Sequence, residues 1–323
     1  MPDASLEVLL IGPLRPVLAK GFAAVTVHKL GGAADRDAFL RSMAHVRAMA
    51  VSAPVRPIDE ALLARLPKLA IISSFGVGYD HIDVGAAAKR GIVVTHTPDV
   101  LTEEVADTAV GLLLCTVREL PQAERYVRAG KWPSGNYPLS RATLRNRTVG
   151  MVGMGRIGVA IARRIGAFGL PIVYHTRQKR TDLAYRHYPQ LIDMARDVDT
   201  LIVIVPGGAA TKNIIDASVL DALGPNGIVI NVARGSVIDE PALIAALRER
   251  KIMAAGLDVF VNEPEIPPEL LAMDNVVLLP HLGSASVFTR EKMDQLLVDN
   301  VLAWAADQPP LTPVPETPFR SWK

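Results

Sequence analysis

The chain has one cysteine, Cys115, in 323 residues. It cannot form an internal disulfide, and its place in the apolar run 109–117 suits a small core residue better than a nucleophile. Aromatic residues make up only 5%, and 35 Lys and Arg stand against 33 Asp and Glu, leaving a formal charge of +2. No basic stripe with interleaved aromatics is present, which gives no reason to expect nucleic acid or an anionic membrane as partner. Long apolar runs are missing too. The stretch 6–11 is only a strand's length and no basic segment precedes it, so neither a secretory leader nor a membrane span is indicated, and the cytoplasm is the expected compartment. Internal repeats and low-complexity tracts are also missing; the proline-rich end, 308–318, reads as an extended tail.

Half of the residues are hydrophobic, enough for two α/β domains with separate cores. Short apolar runs at 8–11, 48–52, 70–73 and 92–95 alternate with helix-like segments, and the pattern resumes at 148–152, 172–174, 201–205, 228–232, 255–259 and 276–279. Near-continuous apolar strands of this kind are buried on both faces of a parallel sheet. A long helical pattern at 103–120 separates the two groups, and another, at 287–304, lies near the end of the chain. The expected architecture is therefore α/β with two doubly wound parallel-sheet domains. A Rossmann-type nucleotide domain at 98–287 is inserted in a discontinuous domain made of 1–97 and 288–323, and the cleft between domains is the natural ligand site.

The nucleotide assignment comes from Gly153-Met154-Gly155-Arg156-Ile157-Gly158, which follows a strand pattern and opens an alanine-rich helix. In this context Gly153 permits a tight turn, Gly155 lets the backbone approach a pyrophosphate, and Gly158 lets the helix pack closely on the sheet. The next strand speaks to the nucleotide. An NAD site carries an acid about 20 residues past the glycines, but here the strand runs into His175-Thr176-Arg177-Gln178-Lys179-Arg180. An Arg fork, a hydroxyl and further cations suit a ribose 2′-phosphate, which a carboxylate would repel. NADP(H) is the expected cofactor, with NAD(H) the alternative.

Three polar residues follow buried strands in the second half: Arg234, Glu263 and His281. Each has an ordinary reading as an ion-pair, loop or core residue. Together they supply what reduction of a 2-oxo acid requires: a fork for a carboxylate, a proton donor for the carbonyl oxygen, and an anion that keeps the donor charged.

With these residues in order, the chain resembles the D-isomer-specific 2-hydroxyacid dehydrogenases, and among them the glyoxylate/hydroxypyruvate reductase branch. The segments that carry the resemblance are Gly76-Val77-Gly78-Tyr79-Asp80-His81-Ile82-Asp83, the glycine loop, 231–239, Gly256-Leu257-Asp258-Val259-Phe260 with Glu263-Pro264, and Pro280-His281-Leu282-Gly283-Ser284-Ala285. Pro206-Gly207-Gly208 departs from the family's more usual proline-leucine-threonine loop.

The resemblance implies a flavodoxin-like substrate domain and a reductase without a metal. Arg234 and the amides of Val77 and Gly78 would hold the substrate carboxylate, His281 would protonate the carbonyl oxygen, and Glu263 would favour the charged imidazole. Ser74 would help to set pocket size. Cofactor contacts would come from the glycine loop, Thr176, Arg177, Lys179, Arg180, Val205, Pro206, Val232, Ala233, Asp258, His281 and Gly283, with Asp258 orienting the nicotinamide amide or else acting as a buried ion-pair partner. The helix at 103–120 and the stretch 131–137 match the family's dimerisation region. Trp132 is then either a core or surface residue or a side chain reaching the partner's cleft. Reduction of bulkier substrates such as hydroxyphenylpyruvate, and a nucleotide-sensing corepressor-like role, are the alternatives.

Overall fold

The computed structural model describes residues 6–31, 35–53 and 57–319. The chain divides into two compact units, Met1–Leu101 with Ser286–Lys323, and Thr102–Ala285. Both are α/β units built on parallel sheets, as the alternation of apolar runs predicts.

The first unit contains β1 (Glu7–Ile11), β2 (Thr26–Lys29), β3 (Ala48–Val51), β4 (Ile71–Ser74) and β5 (Val93–Thr95), in the order β2-β1-β3-β4-β5. All pairings are parallel, and the order is the flavodoxin-like one. Every residue of β3 and β4 is buried, as a sheet covered by helices on both faces requires. The helix Val287–Ala305 lies against this sheet, where Ser73 donates to the carbonyl of Leu297 at 3.0 Å.

The proline-rich end does not behave as a free tail. Pro313 bridges antiparallel to Thr95, the Val314 amide donates to Val94 O at 2.9 Å, and Val314 is fully buried. β5 is an edge strand whose backbone groups need partners, and the C-terminal segment supplies them.

The second unit contains β6 (Val149–Val152), β7 (Ile172–His175), β8 (Arg186–Tyr188), β9 (Thr200–Val203), β10 (Ile228–Asn231), β11 (Ala254–Leu257) and β12 (Val276–Leu278). The order β12-β11-β10-β9-β6-β7-β8, parallel throughout, is the Rossmann winding with one strand added. The winding reverses between β6 and β9, and ligands of such sheets bind outside the carboxyl ends of the strands at that point. The helix expected over 103–120 spans Thr102–Arg118 and stops where Glu119 takes a left-handed φ of 54°. A second helix, Leu120–Arg128, follows with Pro121 in its first turn, where the missing amide hydrogen costs nothing.

Candidate functional site

The glycine loop turns between β6 and the helix Arg156–Gly166, at the reversal point. Gly153 has φ +98°, and a Cβ there would lie 2.3 Å from Ile204 O, at the end of the neighbouring β9. A Cβ on Gly158 would lie 2.6 Å from Gly153 O, so these two positions hold loop, helix and sheet together. Gly155 differs: nothing lies within 4 Å of the corresponding position, and the residue is exposed at the helix N-cap. Open space beside a helix N-terminus is the cradle that a pyrophosphate fits. Arg156 is exposed, Ile157 half-buried, and Val205 flanks the turn with its Cγ1 2.9 Å from the Gly153 Cβ position. Pro206 is exposed, its carbonyl accepting from Thr211 Oγ1 at 2.6 Å.

β7 delivers the basic loop to the same edge of the sheet. Arg177 and Lys179 are exposed, and their side chains have no hydrogen-bond or ion-pair partner among the described residues. Thr176 Oγ1 donates to Gln178 O at 2.6 Å and so shapes the turn. Arg180 is committed elsewhere: Nη1 donates to Met154 O at 2.6 Å inside the glycine loop, and the guanidinium forms a fork with Asp182. The loop therefore does hold a carboxylate, two residues beyond Arg180, and that carboxylate neutralises one of its cations. A further brace was not read from the sequence: His187 on β8, its ring 5.0 Å from that of Tyr174, bonds Thr176 O at 2.9 Å.

Arg234, Glu263 and His281 follow the carboxyl ends of β10, β11 and β12, three neighbouring strands. Asn231, 1% exposed, fixes the first loop by accepting from Ala233 N and donating to Arg234 O, both at 3.0 Å. Ala233 and Val232 are buried beneath it, and Arg234 Nη1 donates to Ala233 O at 2.7 Å. Gly235 passes so close to the next loop that a Cβ would lie 1.9 Å from the carbonyl carbon of Phe260. That approach brings the Arg234 loop against the Glu263 loop.

Glu263 Oε1 accepts from Phe260 N at 3.0 Å, while Oε2 lies 2.6 Å from Nδ1 of His281. Burial pushes the Glu263 carboxyl up, but the His281 hydrogen bond, the Phe260 amide and the charges of His281 and Arg234 outweigh it and hold the group below its ordinary value. An ionised carboxylate only accepts, so Nδ1 carries a hydrogen and Nε2 is the nitrogen left for chemistry. His281 itself takes a left-handed φ of 52° and is exposed at the strand end.

Asp258, 2% exposed, accepts from Leu282 N at 2.8 Å and from Gly283 N at 2.9 Å. Burial raises its carboxyl above the ordinary range and Glu263 adds to the rise, against the two amide bonds and His281. It forms no ion pair among the described residues; its visible work is to fix the backbone just after His281. Thr108, on the long helix, donates to Gly283 O at 3.4 Å and supports the same turn.

In the other unit, Val77 and Gly78 follow β4 and are half-buried. Ser74, expected near the substrate, is fully buried with Oγ 3.1 Å from His81 Nε2, so it shapes the loop from behind. Trp132, in the turn Trp132–Ser134, is 62% exposed, which removes the core reading of that side chain. Among the described residues no helix is long and apolar enough to cross a membrane.

The model of the D-isomer specific 2-hydroxyacid dehydrogenase NAD binding domain matches residues 110–283. The glyoxylate/hydroxypyruvate reductase A of Arabidopsis thaliana is 48% identical over 256 residues, 79% of this chain and 82% of its own length. The hydroxyphenylpyruvate reductase of Plectranthus scutellarioides is 45% identical over the same shares. The crystal structure of an NADPH-dependent glyoxylate/hydroxypyruvate reductase from Sinorhizobium meliloti, in complex with NADP and malonate, superposes with a TM-score of 0.93 at 50% identity and covers 98% of this chain and 99% of that one. With the glycine loop at the reversal point and the paired His281 and Glu263 at neighbouring strand ends, these likenesses place the chain: it belongs to the D-isomer specific 2-hydroxyacid dehydrogenase family.

Proposed function

We propose that the protein reduces small 2-oxo acids, glyoxylate and hydroxypyruvate, to D-2-hydroxy acids with NADPH. The observation that carries this reading is the 2.6 Å contact of His281 Nδ1 with Glu263, beside the Arg234 loop and at the carboxyl edge of a Rossmann sheet. That edge would hold the cofactor through Gly153, Gly155, Arg156, Ile157 and Gly158 at the pyrophosphate, Thr176, Arg177 and Lys179 at the 2′-phosphate, and Val205, Pro206, Val232, Ala233, Asp258 and Gly283 along the rest. When bound, NADPH supplies the hydride for C2 of the substrate.

The chain's own residues do the remainder. Arg234 grips the substrate carboxylate through its guanidinium fork and polarises the 2-oxo oxygen, and the amides of Val77 and Gly78 supply further donors to the carboxylate. His281 holds a proton on Nε2 and gives it to the carbonyl oxygen, so hydride and proton together turn the ketone into a hydroxyl. Glu263 holds Nδ1–H and fixes the ring, so that Nε2 faces the substrate. The unit Thr102–Ala285 acts as the NADP(H) domain and the unit of Met1–Leu101 with Ser286–Lys323 as the substrate domain.

The Plectranthus relative supports a second reading, reduction of hydroxyphenylpyruvate. The deciding experiment follows the loss of NADPH near-ultraviolet absorbance with glyoxylate, hydroxypyruvate, pyruvate and hydroxyphenylpyruvate. The first two should have the highest kcat/KM. A preference for the aryl substrate favours the second reading, and no turnover with any of them removes the reductase assignment. We further propose that the protein is cytoplasmic and that it forms a homodimer, the latter supported by the exposed Leu120, Val127, Trp132 and Leu139 on the helix Leu120–Arg128 and the segment after it.

A further inference from the structure

The loop proposed to grip the substrate carboxylate is held from behind by a side chain that the mechanism above does not use. His96 Nδ1 lies 2.8 Å from the carbonyl oxygen of Val77. A carbonyl only accepts, so Nδ1 is the protonated nitrogen and the imidazole donates. Its neighbour Thr97 clamps the preceding peptide, accepting from Gly76 N at Oγ1 and donating its own amide to Gly76 O, both at 2.8 Å. Neither the Val77 amide nor the Gly78 amide donates to any acceptor among the described residues.

His96 is itself held through its backbone and its ring. Thr312 accepts from His96 N at 3.2 Å and donates Oγ1 to His96 O at 2.6 Å. The fully buried Asn300 fixes Thr312, accepting from its amide at 3.0 Å and donating to Oγ1 at 2.9 Å. The Tyr79 ring meets the imidazole edge-on at 5.4 Å, and its hydroxyl lies 3.3 Å from both carboxylate oxygens of Glu316. The docked C-terminal segment thus reaches the back of the loop through Thr312 and Glu316.

The Val77–Gly78 peptide is not among the cis bonds, and in a trans peptide the C=O and the following N–H point in opposite directions in one plane. Fixing Val77 O therefore fixes the direction of Gly78 N–H, and a donor on the carbonyl polarises the same amide into a stronger donor. We propose that His96 is a positioning residue that aims and strengthens the Gly78 amide for the carboxylate of the 2-oxo acid. The proposal rests on the reading that this amide binds the carboxylate.

The test compares His96→Leu, which removes the donor, with His96→Asn, whose side-chain amide nitrogen can occupy the Nδ1 position. Losing one such hydrogen bond is worth up to about tenfold in affinity. His96→Leu should raise KM for glyoxylate by roughly that factor with the Kd for NADPH unchanged, and His96→Asn should return KM to within about threefold of wild type. Should the Leu variant fail to fold, His96→Met, which likewise carries no donor, replaces it under the same criterion. A wild-type KM without the donor, or an Asn variant as impaired as the Leu one, overturns the assignment. The underlying reading has its own readout, the Gly78 amide resonance on saturation with oxalate. No shift in the wild type discards the carboxylate role of the amide. A wild-type shift that survives unchanged in His96→Leu discards His96 alone.

Discussion

Oε2 of Glu263 lies 2.6 Å from Nδ1 of His281, and Oε1 of the same carboxylate is tied to the Phe260 amide. One oxygen fixes the carboxylate to its loop and the other fixes the imidazole. Replacing Glu263 with Gln removes the anion but keeps the shape. The imidazole loses its anionic partner at Nδ1, so kcat should fall while the Kd for NADPH stays close to wild type. A wild-type kcat in this variant would remove the role of the charge.

The same pair has a consequence for stability. The folded carboxyl of Glu263 sits below its ordinary value, so its contribution is complete above about pH 4.5 and is lost as pH falls through the lowered folded value. The gap in Tm between wild type and Glu263→Gln should hold constant from neutral pH down to that point and shrink beneath it. Thermal melts across this range check the sign; a gap that widens on acidification contradicts it.

His281→Ala deletes the proton donor and leaves the glycine loop untouched. kcat should fall by about 10² to 10⁴, with the Kd for NADPH close to wild type. Turnover near the wild-type rate would move the proton-donor role to another group.

Gly153 and Gly155 stand two residues apart and should answer differently to a single methyl group. Gly153→Ala forces φ +98° on an alanine and drives its Cβ against Ile204 O. The backbone term alone costs roughly 1–3 kcal/mol, so Tm should drop with or without cofactor. Gly155→Ala meets no protein atom within 4 Å. Its apo Tm should match wild type while the Kd for NADPH rises. Equal cofactor affinity in Gly155→Ala would mean that the pyrophosphate does not approach this point.

The exposed Trp132, at 62%, and Leu139, at 95%, bear on assembly. Burying a large apolar side chain contributes roughly 1.5–3 kcal/mol, so a symmetric interface that covers both residues on each protomer gains roughly 6–12 kcal/mol, against the roughly 8 kcal/mol that micromolar affinity requires. Sedimentation should return a dimer, and Trp132→Ala should weaken it. Only monomer at that concentration would dispose of the interface.

How much of this was legible in the sequence depended on burial. β3, β4, β6, β9, β10 and β11 are buried at every position; β3, β6 and β11 are apolar throughout, and β4, β9 and β10 carry polar residues only at an end. β2 and β8, the strands that were not read, lie at sheet edges with polar residues such as Arg186 and Lys29, and no apolar run marks them. The glycine loop was legible because each glycine answers to a backbone requirement in a fixed order. The commitment of Arg180 to Asp182 was not, because a run of cations in sequence does not say which of them the folded loop turns onto its own carboxylate. Likewise Asp258 read as a charge awaiting a cofactor or a cation, whereas its nearest partners are the amides of Leu282 and Gly283, on a strand end distant in sequence.

That commitment sharpens the expectation for cofactor choice. Arg177 and Lys179 are exposed with no partner among the described residues, whereas the charge of Arg180 is paired with Asp182 and its Nη1 donates to Met154 O, inside the glycine loop. A charge-assisted contact to a phosphate contributes roughly 1.5–3 kcal/mol, or about tenfold to more than a hundredfold in affinity. Arg177→Asp removes the fork and puts an anion where the 2′-phosphate must sit. The preference for NADPH over NADH should collapse or invert, with kcat on NADH little changed because the hydride centre is remote. Arg180→Ala should act differently: it loosens the glycine loop that both nucleotides share, so affinity for NADPH and NADH should fall by similar factors and their ratio should hold. Measuring kcat/KM for both cofactors in the three proteins separates the roles. An unaltered ratio in Arg177→Asp, or a ratio that collapses only in Arg180→Ala, would reverse the assignment of the two arginines.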